Sequence, residues 1–390
     1  MRVTHVITRL IVGGAQENTV ATVLGLRAKP GVEVQLVSGP TAGPEGSLEA
    51  AFDSNPGLLG RVPELVRPVH PWKDFVALKK LTRLFRAPRP DIVHTHSGKA
   101  GVLGRLAAHR AGVPIIVHTI HGPSFGQFQG VLANMIFRTA ERRAARVTTH
   151  FVTVADAMKK QYLAAGIGQS RQFTRIFSGF DLNSYLSAKN DPQLRARWNL
   201  KPTDIVIGKI ARLFKLKGHD DLFSVAPELV RHCPQIKFLL VGDGEWRELF
   251  ETIAATSGLK DHFIFTGLVP PTEIPSLVGI MDILVHLSRR EGLPRALPQA
   301  LAAGKPVVTY DCDGANEVCI HNETGLLVAL GDKTNLTASL LRLANDAVLR
   351  SQFGRRGQTL VRENFGVEQM VDRIYSLYVK LAAEHGYHAA

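Results

Sequence analysis

The chain reads as an α/β protein of two domains, each a largely parallel sheet wound on both faces by helices. Its 390 residues exceed the roughly 250–300 at which single cores stop growing. Short apolar strand-like runs alternate with helix-compatible stretches through both halves, the pattern of parallel sheets covered on both sides. Hydrophobic content of 45% and charged content of 21% are those of an ordinary globular protein. No apolar run approaches the roughly 20 residues that cross a bilayer.

In the first half, residues 3–8 alternate as a strand, Gly13-Gly14 breaks the chain, and residues 15–26 suit a helix. Further strands read at 32–38, 92–95, 115–120 and 151–155, with helical stretches between. The second half repeats the theme, with strands at 205–210, 237–241, 263–265, 283–286 and 307–310. Between the last two, residues 296–303 form a helix that Gly304 can cap and Pro306 prevents from continuing. The join falls in the polar stretch near 180–200, giving domains 1–185 and 186–366. The last stretch, 367–385, is an amphipathic helix with Met370, Ile374, Leu377, Tyr378 and Leu381 on one face.

Charge is uneven. Residues 1–185 carry 23 Lys+Arg against 11 Asp+Glu, while 186–390 carry 24 against 23. Nearly all of the net +13 therefore sits in the first half, which suggests an anionic partner there. The densest run is Lys79-Lys80-Leu81-Thr82-Arg83-Leu84-Phe85-Arg86, continued by Arg89, with Leu78, Leu81 and Phe85 on one helical face. It is either a solvated surface helix or a docking element for anionic lipid. No aromatic-interleaved basic motif supports nucleic acid. Cys233, Cys312 and Cys319 are odd in number and lack metal-ligand spacing, which fits a reduced setting. The first ten residues lack the cationic head, apolar stretch and cleavage site of a signal peptide. The expectation is a cytoplasmic protein, with the inner face of the cell membrane as a site of peripheral docking.

Several segments can carry chemistry. Gly13 and Gly14 open the first helix, as a simple tight turn or as a close approach to a phosphate. GxGxxG spacing is absent, which counts against a dinucleotide. Arg212 and Lys217 lie five residues apart on a loop after a strand and can both reach one diphosphate, a planar fork beside a point charge. Lys215 between them reads as surface. His94 and His96 follow one strand, and His118 and His121 another. Zinc merits consideration for such pairs, but no Cys or carboxylate completes a four-ligand set. Gly242-Asp243-Gly244 reads as a turn with a capping Asp. Finally Ser288-Arg289-Arg290-Glu291-Gly292-Leu293-Pro294 runs into the helix at 296, putting a carboxylate beside a helix N-terminus.

That last segment resembles the donor site of family 4 glycosyltransferases, glycosyl transferases group 1. The family's pattern is an acid, seven residues, then a second acid; here Glu291 holds the first place and Gln299 the second. Gly314-Ala315-Asn316-Glu317-Val318 and residues 322–328 resemble its downstream pattern. The resemblance covers almost the whole chain. It implies the GT-B fold, two Rossmann-like domains facing across a cleft, with the last helix crossing back onto the first domain. It also implies an acceptor-side first domain and a donor-binding second domain. The donor would be a nucleoside diphosphate sugar, UDP or GDP, with no metal and no cofactor. By the same resemblance Arg212 and Lys217 bind the diphosphate, and Gly13 and Gly14 lie by the phosphates and sugar. Glu291 holds sugar hydroxyls, Gly292, Leu293 and Arg295 line the donor, and His121 lies near the transferred sugar. Residues 265–269 meet the base through backbone groups. Gln299 is a departure: it can still hydrogen-bond a ribose, without charge.

The implied reaction is retaining transfer of a hexose to a hydroxyl of a glycan, a lipid-linked molecule or a small molecule. Cleavage builds negative charge on the departing diphosphate, and Arg212, Lys217 and helix-terminal amides can stabilise it. A nucleotide-sugar epimerase, a silent sugar-nucleotide binder and a membrane interaction protein are the rival readings. The acceptor would be read by first-domain loops at 39–60 and 124–129.

Overall fold

The computed structural model describes residues 1–43, 46–126 and 128–386; Pro44, Glu45 and Gln127, within the loops expected to read an acceptor, lie outside them. The chain forms two compact units, Met1–Phe180 with the segment from Val367 onward, and Asp181–Gly366.

Unit 1 is a seven-stranded sheet of β1 (Arg2–Ile7), β2 (Glu33–Ser38), β3 (Leu59–Arg61), β4 (Ile92–His96), β5 (Ile115–Ile120), β6 (His150–Thr153) and β7 (Phe173–Arg175). All neighbours pair parallel in the order β3-β2-β1-β4-β5-β6-β7. Its helices are α1 (Gly14–Arg27), α2 (Pro71–Leu84), α3 (Gly98–Arg110), α4 (Val131–Ala145) and α5 (Asp156–Ala164). Strand order reverses between β1 and β4, so the loops after those strands diverge and leave a crevice at the carboxyl edge.

Unit 2 repeats the plan with β8 (Ile205–Ile210), β9 (Ile236–Val241), β10 (Phe263–Gly267), β11 (Ile283–His286), β12 (Val307–Tyr310) and β13 (Gly325–Val328), in the order β10-β9-β8-β11-β12-β13. Its helices are α6 (Leu182–Leu186), α7 (Pro192–Arg197), α8 (His219–His232), α9 (Arg247–Thr256), α10 (Ile274–Gly279), α11 (Ala296–Ala302), α12 (Lys333–Asn345) and α13 (Ala347–Asn364). The reversal here lies between β8 and β11. The division falls after Phe180, five residues ahead of the expected 185. The reason is local: Asp181 accepts a hydrogen bond from the Asn183 amide and starts α6, which packs on α10 and α11.

The final helix, α14 (Val367–Glu384), belongs to unit 1 and lies against α1. Met370, Ile374, Leu377, Tyr378 and Leu381 are all buried, as its apolar stripe requires. Contact is close enough that a Cβ on Gly25 would sit 2.5 Å from Val371. Met370 Sδ accepts from Asn18 Nδ2 at 3.0 Å and from the Gly179 amide at 3.1 Å, so the helix is also held by polar contacts.

On the opposite face α2 and α3 cover the sheet. Leu81 and Phe85 are fully buried there with Ala77. The apolar face of the basic helix is therefore core, and cannot insert into lipid. Between α3 and α4, Arg105 and Glu141 form a buried ion pair at 2.6 Å. Arg105 Nε also donates to the Gly101 carbonyl at 2.7 Å, and Ser124 donates to Glu141 at 3.0 Å. With its partner removed, the guanidinium would stay buried and uncompensated. Glu141→Ala should cost about 3–5 kcal/mol, read as a lower thermal and denaturant midpoint; an unchanged midpoint would refute this account of the pair.

Candidate active site

In unit 2 the loops that leave β8 and β11 on either side of the strand reversal meet. The β8 loop runs Ala211–Gly218 and turns into α8 through Leu216 and Gly218, at φ 76° and 66°. A Cβ on Gly218 would lie 2.1 Å from the Leu287 carbonyl oxygen, so only glycine lets the loop come so close. Arg289 N donates to Leu216 O at 2.9 Å, continuing the union of the two loops. A third loop braces the first: Leu213 N donates to Asp243 O at 2.9 Å, and Trp246 N to Leu213 O at 3.0 Å. Gly242 and Gly244 stand where a Cβ would meet the carbonyls of Ala211 and Leu213, both at 2.4 Å. Asp243 pairs with Arg247 at 3.2 Å. The Gly-Asp-Gly turn is thus a buttress of the β8 loop.

The outcome is a direct ion pair between Lys217 Nζ and Glu291 Oε1. His286 Nε2 lies 3.7 Å from the same carboxylate oxygen. The Glu291 amide donates to Asp313 Oδ2 at 2.6 Å, and the Gly314 amide to the Gly292 carbonyl at 3.2 Å. Burial alone would raise the Glu291 pKa, but the Lys217 charge and the Lys217 hydrogen bond hold it below the ordinary carboxylate value. The pair is therefore a cation and an anion already desolvated in part and oriented by backbone.

Arg212 is exposed on the same loop, its guanidinium 4.7 Å from the centre of the Phe214 ring. Lys215 is exposed. Leu293 is buried and Arg295 stands at the entry of α11. Gln299 lies one turn in, its amide on the Arg295 carbonyl at 3.2 Å, with its side chain half-buried. Gly304, at φ 70°, ends the helix as its residue type suggests.

Beneath the ion pair lies a buried polar layer that sequence reading did not single out. Lys209 in β8 is fully buried, and its Nζ has no hydrogen-bond partner among the described residues; the same holds for both ring nitrogens of His219 and for His286 Nε2. Burial first, then the Lys217 charge, lowers the Lys209 pKa to about 7, against the pull of Glu291, Asp220 and Asp221. Burial likewise keeps His219 neutral, at about 2, and His286 at about 3. Asp221 is bound by Arg289 at 2.6 Å, which also holds Asp220 at 2.7 Å.

In unit 1 the candidates gather at the carboxyl edge of β1, β4 and β5. Gly13 is the N-cap of α1, and its carbonyl accepts from Glu17 N at 2.9 Å. Gly13 and Gly14 make the turn into α1, and Ile11 bridges Ser47 across the loop mouth. His121 follows β5 and is half-buried, with Nε2 3.1 Å from His96 Nδ1. His94, His96 and His118 are buried. A Cβ on Gly101 would meet the His118 ring at 2.5 Å, so His118 is packing. Ser97, at φ 62° before α3, holds a backbone conformation that costs energy outside glycine. Its Oγ meets Thr8 Oγ1 at 2.9 Å.

Two parallel α/β units, each with a strand reversal at its carboxyl edge, are the architecture of the GT-B fold. Residues 13–174 match the family described as Glycosyl transferase 4-like domain, and residues 190–360 match Glycosyl transferases group 1. The chain belongs to the group 1 glycosyltransferases. It is 29% identical over 324 residues to the UDP-Gal:alpha-D-GlcNAc-diphosphoundecaprenol alpha-1,3-galactosyltransferase of Escherichia coli, covering 82% of this chain and 83% of that one. It is also 29% identical to the 2-deoxystreptamine glucosyltransferase of Streptomyces kanamyceticus, over 80% and 83% of the two chains. Anabaena HepE, solved in complex with UDP, superposes with a TM-score of 0.82 at 21% identity, over 97% of this chain and 100% of that one.

A buried lysine whose pKa is lowered to about 7 beneath the Lys217–Glu291 pair should show in nucleotide binding. UDP affinity should rise as pH falls through about 7, where Lys209 gains its charge. Lys209→Met should flatten that step in a calorimetric pH series from 6 to 8.5; an identical profile in the variant would remove Lys209 from the account.

Proposed function

We propose that the protein is a retaining transferase that moves a hexose from UDP to a hydroxyl of a lipid-linked acceptor at an anionic membrane surface. The observation that carries the donor half is the Lys217–Glu291 pair at the strand reversal of unit 2. Between them the two side chains offer what a sugar diphosphate needs, a cation for the phosphates and acceptor oxygens for the sugar hydroxyls. Arg212, exposed on the same loop, adds a planar fork.

As the anomeric bond breaks, negative charge grows on the β-phosphate, and Lys217 and Arg212 stabilise it more than they stabilise the ground state. Lys217 releases Glu291 as it turns to the phosphate, and Glu291 then accepts from the sugar hydroxyls. The departing phosphate takes the acceptor's proton on the same face, so configuration is retained and no second carboxylate is required. Gly292, Leu293 and Arg295 line the donor, and Gln299 meets the ribose without charge. UDP is favoured over GDP because the Escherichia coli relative, a UDP-Gal enzyme, matches more of the chain than the GDP-mannose-dependent relative of Mycolicibacterium smegmatis, 82% against 70%. The chemistry requires neither metal nor cofactor.

UDP- and GDP-sugars, screened for hydrolysis and transfer, test this directly. Lys217→Ala should lower kcat by about 10²–10³-fold, and Glu291→Ala should lose turnover while UDP still binds. NMR of the product should give the donor's anomeric configuration. An inverted product, or full turnover in both variants, would sink the mechanism.

The membrane half rests on α4. Val131, Leu132, Met135 and Ile136 are 89, 66, 58 and 55% exposed, and Arg142, Arg143 and Arg146 are exposed further along the chain. Apolar residues enter the acyl boundary while the arginines meet lipid phosphates. On α2 Lys80 is engaged by Glu64 at 2.6 Å and Lys79 stands over Phe75, so residues 79–89 contribute charge alone. No helix among the described residues is long and apolar enough to cross a membrane. Sedimentation with vesicles containing anionic phospholipid should fall at least tenfold in Leu132→Glu/Ile136→Glu, and less in Lys79→Glu/Arg83→Glu. Equal binding by wild type and the α4 variant would exclude this surface.

A further inference from the structure

Behind His121 lies a chain of buried polar side chains that the reaction above does not use. His5 in β1, His94 and His96 in β4 and Tyr378 in α14 are at most 1% exposed. Thr119 Oγ1 lies 2.6 Å from His94 Nε2, and His94 Nδ1 lies 2.5 Å from the Tyr378 hydroxyl. The same hydroxyl is 3.2 Å from His5 Nε2. His5 Nδ1 is 2.9 Å from His96 Nε2, and His96 Nδ1 is 3.1 Å from His121 Nε2. Five hydrogen bonds thus join Thr119 to His121 without a break.

A three-histidine group invites a metal, since the nitrogens of His5, His94 and His96 lie within 4.8 Å of one another. The spacing argues otherwise. Two nitrogens on a tetrahedral zinc at 2.0–2.1 Å would stand roughly 3.3 Å apart, whereas His5 Nδ1 and His96 Nε2 are at hydrogen-bond distance, 2.9 Å. Every ring nitrogen of the three histidines also has a hydrogen-bond partner.

Neutral imidazole has one N–H and one lone pair, and burial keeps these histidines neutral, with His5 lowered to about 3 and His94 and His96 well below their ordinary value. Fixing the direction of one bond therefore fixes all five. The Thr119 hydroxyl decides it: it is buried, and among the described residues its one partner is His94 Nε2. If it accepted there, its own proton would be buried without an acceptor, at a cost of about 1–3 kcal/mol. So Thr119 donates to His94 Nε2, His94 Nδ1–H to Tyr378, Tyr378 to His5 Nε2, His5 Nδ1–H to His96 Nε2, and His96 Nδ1–H to His121 Nε2.

We infer that this one-directional chain fixes His121 as its Nδ1–H tautomer, which makes Thr119, His94, Tyr378, His5 and His96 positioning residues for the transferase. At Nδ1, His121 then offers a proton and no lone pair: it can hold an oxygen and cannot act as a base there. The catalytic consequence rests on the reading that His121 stands by the sugar; the tautomer does not.

The test is long-range proton–nitrogen NMR of the full chain labelled with [15N]histidine at pH 7.5, with His121 assigned by His121→Gln. The expected result is a pyridine-type Nε2 and a pyrrole-type Nδ1 on His121. In Thr119→Val and Tyr378→Phe the chain loses its direction or its continuity, and both His121 nitrogens should shift toward averaged positions. A proton on Nε2 in the wild type, two pyrrole-type nitrogens, or unmoved His121 shifts in both folded variants would overturn the inference. So would stoichiometric zinc whose removal by EDTA shifts the histidine nitrogens. The readout needs no donor, so it stands apart from the kcat of His121→Gln, which tests where His121 acts.

Discussion

Gly218 and the carbonyl of Leu287 come closer than any side chain at that position would permit. On that contact the candidate site of unit 2 depends. It joins the loop after β8 to the end of β11 across the strand reversal, where parallel topology alone would leave a gap. Closure there brings Lys217 to Glu291 and buries His286 and His219 beneath them. The glycines at 242 and 244 serve the same end, admitting backbone where side chains would force the β8 loop away. The candidate site is thus built from main chain first, with the charged side chains set upon it.

Two buried polar clusters, one in each unit, are satisfied in opposite ways. In unit 1 the histidines satisfy one another and Tyr378 closes the set. In unit 2 Lys209, His219 and His286 are buried with atoms left unpaired. An unpaired buried group costs free energy and persists where something else requires it. That layer lies next to the Lys217–Glu291 pair, so the geometry of the candidate site is what its burial serves.

Much of this was legible beforehand. Central strands such as Ile115–Ile120, Ile205–Ile210 and Val307–Tyr310 are mostly apolar and largely buried, and hydropathy places them. The edge strands Leu59–Arg61 and Phe173–Arg175 were not, because three residues carry no period. Gly325–Val328 is absent from the strands expected from sequence, since its glycine and short length hide a strand made by pairing with β12. The Arg212, Lys217 and Glu291 loops stand out because residue type and spacing are local. Lys209 did not: one lysine in a strand looks like solvent-side alternation, and only three-dimensional packing shows it buried. The histidine chain was invisible for a similar reason, since it unites residues 5, 94, 96, 119, 121 and 378.

Unit 1 is discontinuous in the chain: the whole of unit 2 lies between Phe180 and Val367. On a ribosome, unit 2 can therefore finish folding while the sheet of unit 1 still lacks its last helix. Until α14 emerges, Val20, Val23 and Leu26 lack the apolar side chains that cover them, and His5 and His94 lack the hydroxyl that links them. The nascent first unit must wait through nearly half of synthesis with a hydrophobic flank uncovered. It is there, before the last turns are added, that a chaperone would find this protein.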